Sequence, residues 1–89
     1  MVINTDIKRR EYFRRYIFGS AIYSESPQDI DIAIIYDKQY VSILEAIEYR
    51  NEIISILSNL NSISIDAILL SKEEENEMEF LFNAKHIEF

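Results

Sequence analysis

The chain has 89 residues, no cysteine, a single glycine and a single proline, and a net charge of −7. That length predicts one domain, 1–89, with residues 1–13 as an N-terminal arm or short helix. The missing thiols exclude a disulfide framework and a thiolate metal site. No apolar run approaches the ~20 residues of a membrane span, and "MVINTDIKRREYF" does not read as a secretory leader; a cytoplasmic protein with no membrane partner is the expectation.

The charge is unevenly spread. Residues 1–15 carry five of the nine basic residues (Lys8, Arg9, Arg10, Arg14, Arg15) but only two of the sixteen acids. The acidic remainder argues against a broad nucleic-acid surface, which needs clustered cations to release counterions. The basic start leaves open a local contact with one phosphate-bearing ligand or an RNA end, or simply a solvated face.

In chain order, "RRYIF" (14–18) predicts a strand that stops at Gly19, and 20–23 a single helical turn. "SESPQ" (24–28) is a loop by its Ser and Pro content. "DIDIAIIY" (29–36) alternates, with Ile30, Ile32 and Ile34 on one face and Asp29, Asp31, Ala33 and Ile35 on the other. Beyond Asp31 both faces are apolar, the mark of a central strand covered on both sides. From 39 to 60 the period lengthens. Tyr40, Ile43, Leu44, Ile47, Ile54 and Leu57 predict the apolar side of a long helix, with Asn59 and Asn61 at its exit.

"SISIDAILLS" (62–71) predicts a third strand. Ser71 with Glu74 forms a capping box for a last helix whose apolar side is Met78, Leu81 and Phe82. "HIEF" (86–89) is a short terminal strand, and the lone His86 reads as an exposed or partly packed tail residue. The fold class is α/β (α+β): a small mixed sheet of three to four strands with helices packed on it.

Three acids, Asp29, Asp31 and Asp66, stand inside or at the edge of apolar strands. An ionised carboxylate there is costly unless it is paired or binds a metal. Asp29 and Asp31 project from one face roughly 6–7 Å apart. A divalent cation would neutralise their repulsion, and hard carboxylate oxygens suit Mg²⁺. If 62–71 pairs beside 29–36, Asp66 reaches the same end of the sheet. It could complete a two-metal site or accept the proton of an attacking hydroxyl. Gly19 and Ser20 form the complementary part, a turn where backbone N–H groups and a hydroxyl can approach phosphate. In a structural reading the three aspartates merely cap strand ends, and Ser20 merely caps a helix.

Phe18-Gly19-Ser20, then Asp29-Ile30-Asp31, then Asp66 in "IDAILLS" resemble the signature of the minimal nucleotidyltransferases of the DNA polymerase β-like superfamily. The resemblance covers residues 14 to about 89. It implies Mg²⁺-dependent transfer of a nucleoside monophosphate from ATP or another NTP to an acceptor hydroxyl, with one or two ions. Asp29 and Asp31 would hold metal, Asp66 would be the third acid, and Gly19 and Ser20 would bind the triphosphate. Where the family shows a small residue, an arginine and a second glycine after the Gly-Ser pair, this chain has Ala21, Ile22, Tyr23 and Ser24.

The resemblance also points to antitoxin-like members that accompany HEPN-type toxins. They modify the toxin by adding AMP to a tyrosine, or inhibit it by binding. The expected partners are therefore an NTP and a HEPN-type toxin or a second copy of the chain, with nucleic acid only as an acceptor end. The competing reading is a non-catalytic module of the same fold that neutralises a partner by contact.

Overall fold

A computed structural model describes residues 10–22, 29–83 and 85–89. The elements are β1 (Phe13–Phe18), a 3₁₀ turn (Gly19–Ile22), β2 (Asp29–Tyr36), α1 (Ile43–Asn61), β3 (Ser64–Ser71), α2 (Lys72–Met78), α3 (Phe80–Asn83) and β4 (His86–Glu88). The predicted arm up to residue 9, with Lys8 and Arg9, and the predicted loop 24–28 lie outside the described residues. The fold is α+β, a four-stranded mixed sheet in the order β3-β2-β1-β4.

β1 pairs antiparallel with both β2 and β4, whereas β3 runs parallel to β2. A parallel neighbour needs a crossover, and α1 supplies it by packing on one sheet face between the two strands. That face holds Ile17, Ile30, Ile32 and Ile34 against Tyr49, Ile53 and Leu57 of α1. Burial of each such side chain contributes about 1.5–3 kcal/mol. The other face carries a smaller cluster, Tyr16, Ile35 and Leu70, covered by Phe80 and Leu81. β2 is thus buried on both sides from Ile32 to Tyr36, as its composition requires.

Helix α1 departs from expectation in its start and in its face. Asp37–Val41 forms a turn, and Ser42 caps the helix by accepting a hydrogen bond from the Glu45 N–H at 3.2 Å. Tyr40, Ile43 and Leu44, expected on the packed side, are exposed at 61%, 53% and 69%. The face against the sheet is instead Ala46, Tyr49, Ile53 and Leu57. Apolar residues occupy more than one side of this helix. The small Ala46, fully buried, packs with Tyr36 and Val41. At the exit, Asn61 donates to the Leu57 carbonyl at 2.9 Å. Ser62 turns left-handed at φ 54° and its N–H reaches the Ser58 carbonyl.

The capping box forms as read: the Glu74 N–H donates to Ser71 Oγ at 3.1 Å and the Ser71 N–H donates to Glu74 at 2.9 Å. Those bonds hold the Glu74 carboxyl below its ordinary value. The expected single last helix is broken at Glu79, which adopts a left-handed φ of 48°. The break leaves Met78 58% exposed and turns Phe80 and Leu81 onto the sheet.

Among the described residues, Arg10, Arg14 and Arg15 do not gather into one cationic patch. Arg14 and Arg15 alternate along β1 and leave by opposite faces. Arg14 pairs with Glu88 at 3.1 Å on one side. Arg15, 5% exposed, lies on the other side, where its Nε–H donates to the Phe89 carbonyl at 3.1 Å. Arg10 covers the rings of Phe13 and Tyr49 at 5.3 and 5.2 Å. Among the described residues these three guanidiniums serve internal contacts.

Candidate functional site

The acids come together through strand register. β2 and β3 pair Asp31 directly with Asp66, and Asp29 with Ser64. Paired residues on neighbouring strands share a face, so Asp29, Asp31 and Asp66 all project away from α1. They stand at the end of the sheet where β2 begins, away from Ile35 and Leu70 under α3. Asp29 and Asp66 are exposed, while Asp31 is half-buried.

The Gly-Ser turn closes on the same place. β1 ends at Phe18, the antiparallel partner of Asp31, so the next residue must pass its carboxylate. Gly19 does so with φ 76°, and a Cβ built on it would lie 2.8 Å from Asp31 Oδ2. Only a residue without a side chain allows that approach in that conformation. The chain then enters the 3₁₀ turn Gly19–Ile22, in which Ser20 directly follows Gly19. The side chain of Ser20, and residues Tyr23 and Ser24 where the family pattern lapses, lie outside the described residues.

The electrostatics of this corner are unbalanced. The Asp31 carboxyl is pushed above its ordinary value first by burial, then by the negative charges of Asp66 and Asp29. Arg14 pairs with Glu88 and Lys72 with Asp37, neither at the three aspartates. Among the described residues no three His, Cys, Asp or Glu side chains close into a metal-binding group. The corner fits Mg²⁺ in a more open sense. It offers hard oxygen donors from two adjacent strands and a glycine cradle that keeps Asp31 Oδ2 accessible to backbone, and Mg²⁺ characteristically keeps several of its waters.

Aromatic residues adjoin the acids, a feature that strand-by-strand reading did not reveal. Phe18 stands next to Asp31 and meets Phe80 of α3 edge-on, with ring centroids 5.1 Å apart. His86 pairs with Phe18 from the far side, on β4. Its ring meets Tyr16 edge-on at 5.2 Å. The signal for this was the alternation Arg14, Tyr16, Phe18, but no local pattern places a three-residue tail strand beside it.

A cleft of 230 Å³ opens elsewhere, lined by Tyr12, Phe13, Arg14, Ile35, Asp37 and Lys72. Ile35 lies about 13 Å along β2 from Asp31, so this cleft is separate from the acids. No helix among the described residues is long and apolar enough to cross a membrane. Comparison of the chain with protein families, with curated proteins and with solved structures gives no match.

Proposed function

We propose that the chain is a Mg²⁺-dependent nucleotidyltransferase of the minimal type, moving a nucleoside monophosphate, AMP in the first instance, from an NTP to a protein or RNA hydroxyl. The observation that carries this reading is the Asp31 carboxylate lying where a side chain on Gly19 would stand, a Cβ there falling 2.8 Å from Oδ2, with Asp66 in register beside Asp31. A turn able to face phosphate thereby abuts carboxylates that repel one another. Such an arrangement is relieved by binding a cation together with a polyphosphate.

Asp29 and Asp31 would hold Mg²⁺, with Asp66 on the strand position paired with Asp31. The ion would neutralise charge on the triphosphate and on the acids when bound. Asp66 accepts the proton of the attacking hydroxyl. The hydroxyl oxygen bonds to the α-phosphorus, the bond from that phosphorus to the bridging oxygen breaks, and pyrophosphate leaves with the electron pair. The Gly19–Ser20 turn offers backbone N–H groups to the phosphates. The acceptor on this reading is a partner protein of the HEPN-toxin kind, or an RNA end.

The absence of the arginine and second glycine, replaced by Ala21, Ile22, Tyr23 and Ser24, favours a second reading in which the fold only binds and neutralises that partner. Incubation with labelled NTP, Mg²⁺ and the partner encoded alongside separates them. Transfer of label that Asp29→Asn or Asp31→Asn abolishes supports the enzyme. Absence of label, with partner inhibition intact in both variants, sinks it in favour of the binder.

A further inference from the structure

The row of residues that pairs Asp66 with Asp31 does not stop there. Asp31 pairs with Phe18, and Phe18 pairs with His86, so one level of the sheet reads Asp66, Asp31, Phe18, His86 across all four strands. All four side chains leave by the same face, because directly paired residues share one. Along this row a doubly acidic half gives way to an aromatic half.

The aromatic half has more ring surface than packing uses. Phe18 and Phe80 are only half-buried although they touch, and His86 is exposed although Tyr16 meets it edge-on. The interplanar angles are 87° for Phe18–Phe80 and 88° for Tyr16–His86. Perpendicular rings form walls with faces turned in different directions, not a closed stack. They offer flat apolar area bordered by the one imidazole of the chain.

We infer that Phe18, Phe80 and His86 form the seat for the base of the bound nucleotide. The inference rests on the nucleotidyltransferase reading and deepens it. Two strand spacings, about 9–10 Å, separate the Asp31 and His86 positions, a span a nucleoside covers from its α-phosphorus through the ribose to the base. A phosphate group at Asp31 therefore brings its own base over Phe18 and towards His86. Every base has a π-face, so rings of this kind bind by stacking and tolerate sequence. The larger purine face gains more from them than a pyrimidine. The chain accordingly selects purine over pyrimidine nucleotides by area, and its base selectivity sits on β1, β4 and α3 while its acids sit on β2 and β3.

The test is calorimetric titration of the full chain in Mg²⁺ with ATP, with CTP and with inorganic tripolyphosphate. ATP is expected to bind tightest and tripolyphosphate weakest. His86→Ala, at an exposed position, and Phe80→Leu, which keeps apolar volume on the sheet, are each expected to weaken ATP binding roughly ten-fold. Tripolyphosphate binding should stay unchanged in both. Equal affinity for ATP and tripolyphosphate, or variants that weaken the two alike, overturns the base seat and leaves the nucleotidyltransferase reading standing. Binding of neither ligand overturns both.

Discussion

The Asp31 carboxylate fills the space where a side chain on Gly19 would be: a Cβ there would stand 2.8 Å from Asp31 Oδ2. The glycine also holds a φ of 76°, which costs an L-residue about 1–2 kcal/mol. Gly19→Ala thus carries two penalties, one of backbone and one of collision. It should lower unfolding free energy by at least about 1 kcal/mol in denaturant titration. It should also displace the Asp31 carboxylate and remove NTP-dependent transfer. A variant that keeps wild-type stability and transfer would show that the close approach is incidental.

Asp31 contributes a pH dependence with a definite sign. Its folded-state carboxyl binds its proton more tightly than the unfolded one, because burial and the charges of Asp66 and Asp29 disfavour ionisation. Within the window just above the ordinary carboxylate value the folded chain therefore holds more protons than the unfolded chain. Stability falls there as pH rises, and the cost of the ionised group persists at neutral pH. Asp31→Asn should remove that decline and melt higher than wild type at pH 7, while on the proposed function it should abolish transfer. Melting curves of both proteins across mildly acidic to neutral pH check this.

Mg²⁺ should raise the melting temperature of the wild-type chain, since a ligand of the folded state alone stabilises it by mass action. The rise should saturate with concentration and vanish in Asp31→Asn, whereas an equal ionic strength of monovalent salt should not reproduce it. Asp66→Asn, at an exposed strand position, should change stability by less than about 0.5 kcal/mol yet strongly reduce transfer. Equal Mg²⁺ shifts in wild type and Asp31→Asn would remove Asp31 from the ligand set.

Ile53 is fully buried in α1 against Ile30, Ile32 and Ile34, in the crossover that aligns β3 with β2. Ile53→Ala should cost about 2–5 kcal/mol by loss of burial and creation of a cavity. In a domain this small that is a large share of total stability. Denaturant unfolding should show a lower midpoint with an unchanged slope; an effect below about 1 kcal/mol would place Ile53 outside the core.

The acids were legible in the sequence because a strand has a period of two: Asp29 and Asp31 had to share a face, and that face had to differ from the one of Ile30, Ile32 and Ile34. The capping box at Ser71 and Glu74 was equally local. What escaped depends on long-range choice. Tyr40, Ile43 and Leu44 carry an apolar period but lie before Ala46, Tyr49, Ile53 and Leu57, the residues of α1 that are buried. The break at Glu79 has no glycine or proline to announce it. It exists because a left-handed residue there turns Phe80 and Leu81 onto Tyr16 and Leu70. The place of His86 in the row of Asp31 follows from which strand lies beside β1, which no local pattern states.

The two consecutive arginines of β1 give the chain's end an unusual fastening. Arg14 holds Glu88 from one side of the sheet and Arg15 holds Phe89 from the other, around a strand of only three residues, all exposed. The backbone adds the Phe89 N–H to the Arg15 carbonyl at 3.0 Å. With so little apolar burial, this segment opens at a small fraction of the cost of global unfolding. Its amides should exchange with solvent well before those of β2, and Arg15→Lys, which loses the fork geometry, should hasten them without disturbing the rest of the sheet. The tail behaves as a buckle pinned twice, and since His86 rides on it, the end of the row proposed to seat the base would be the part that can be let go.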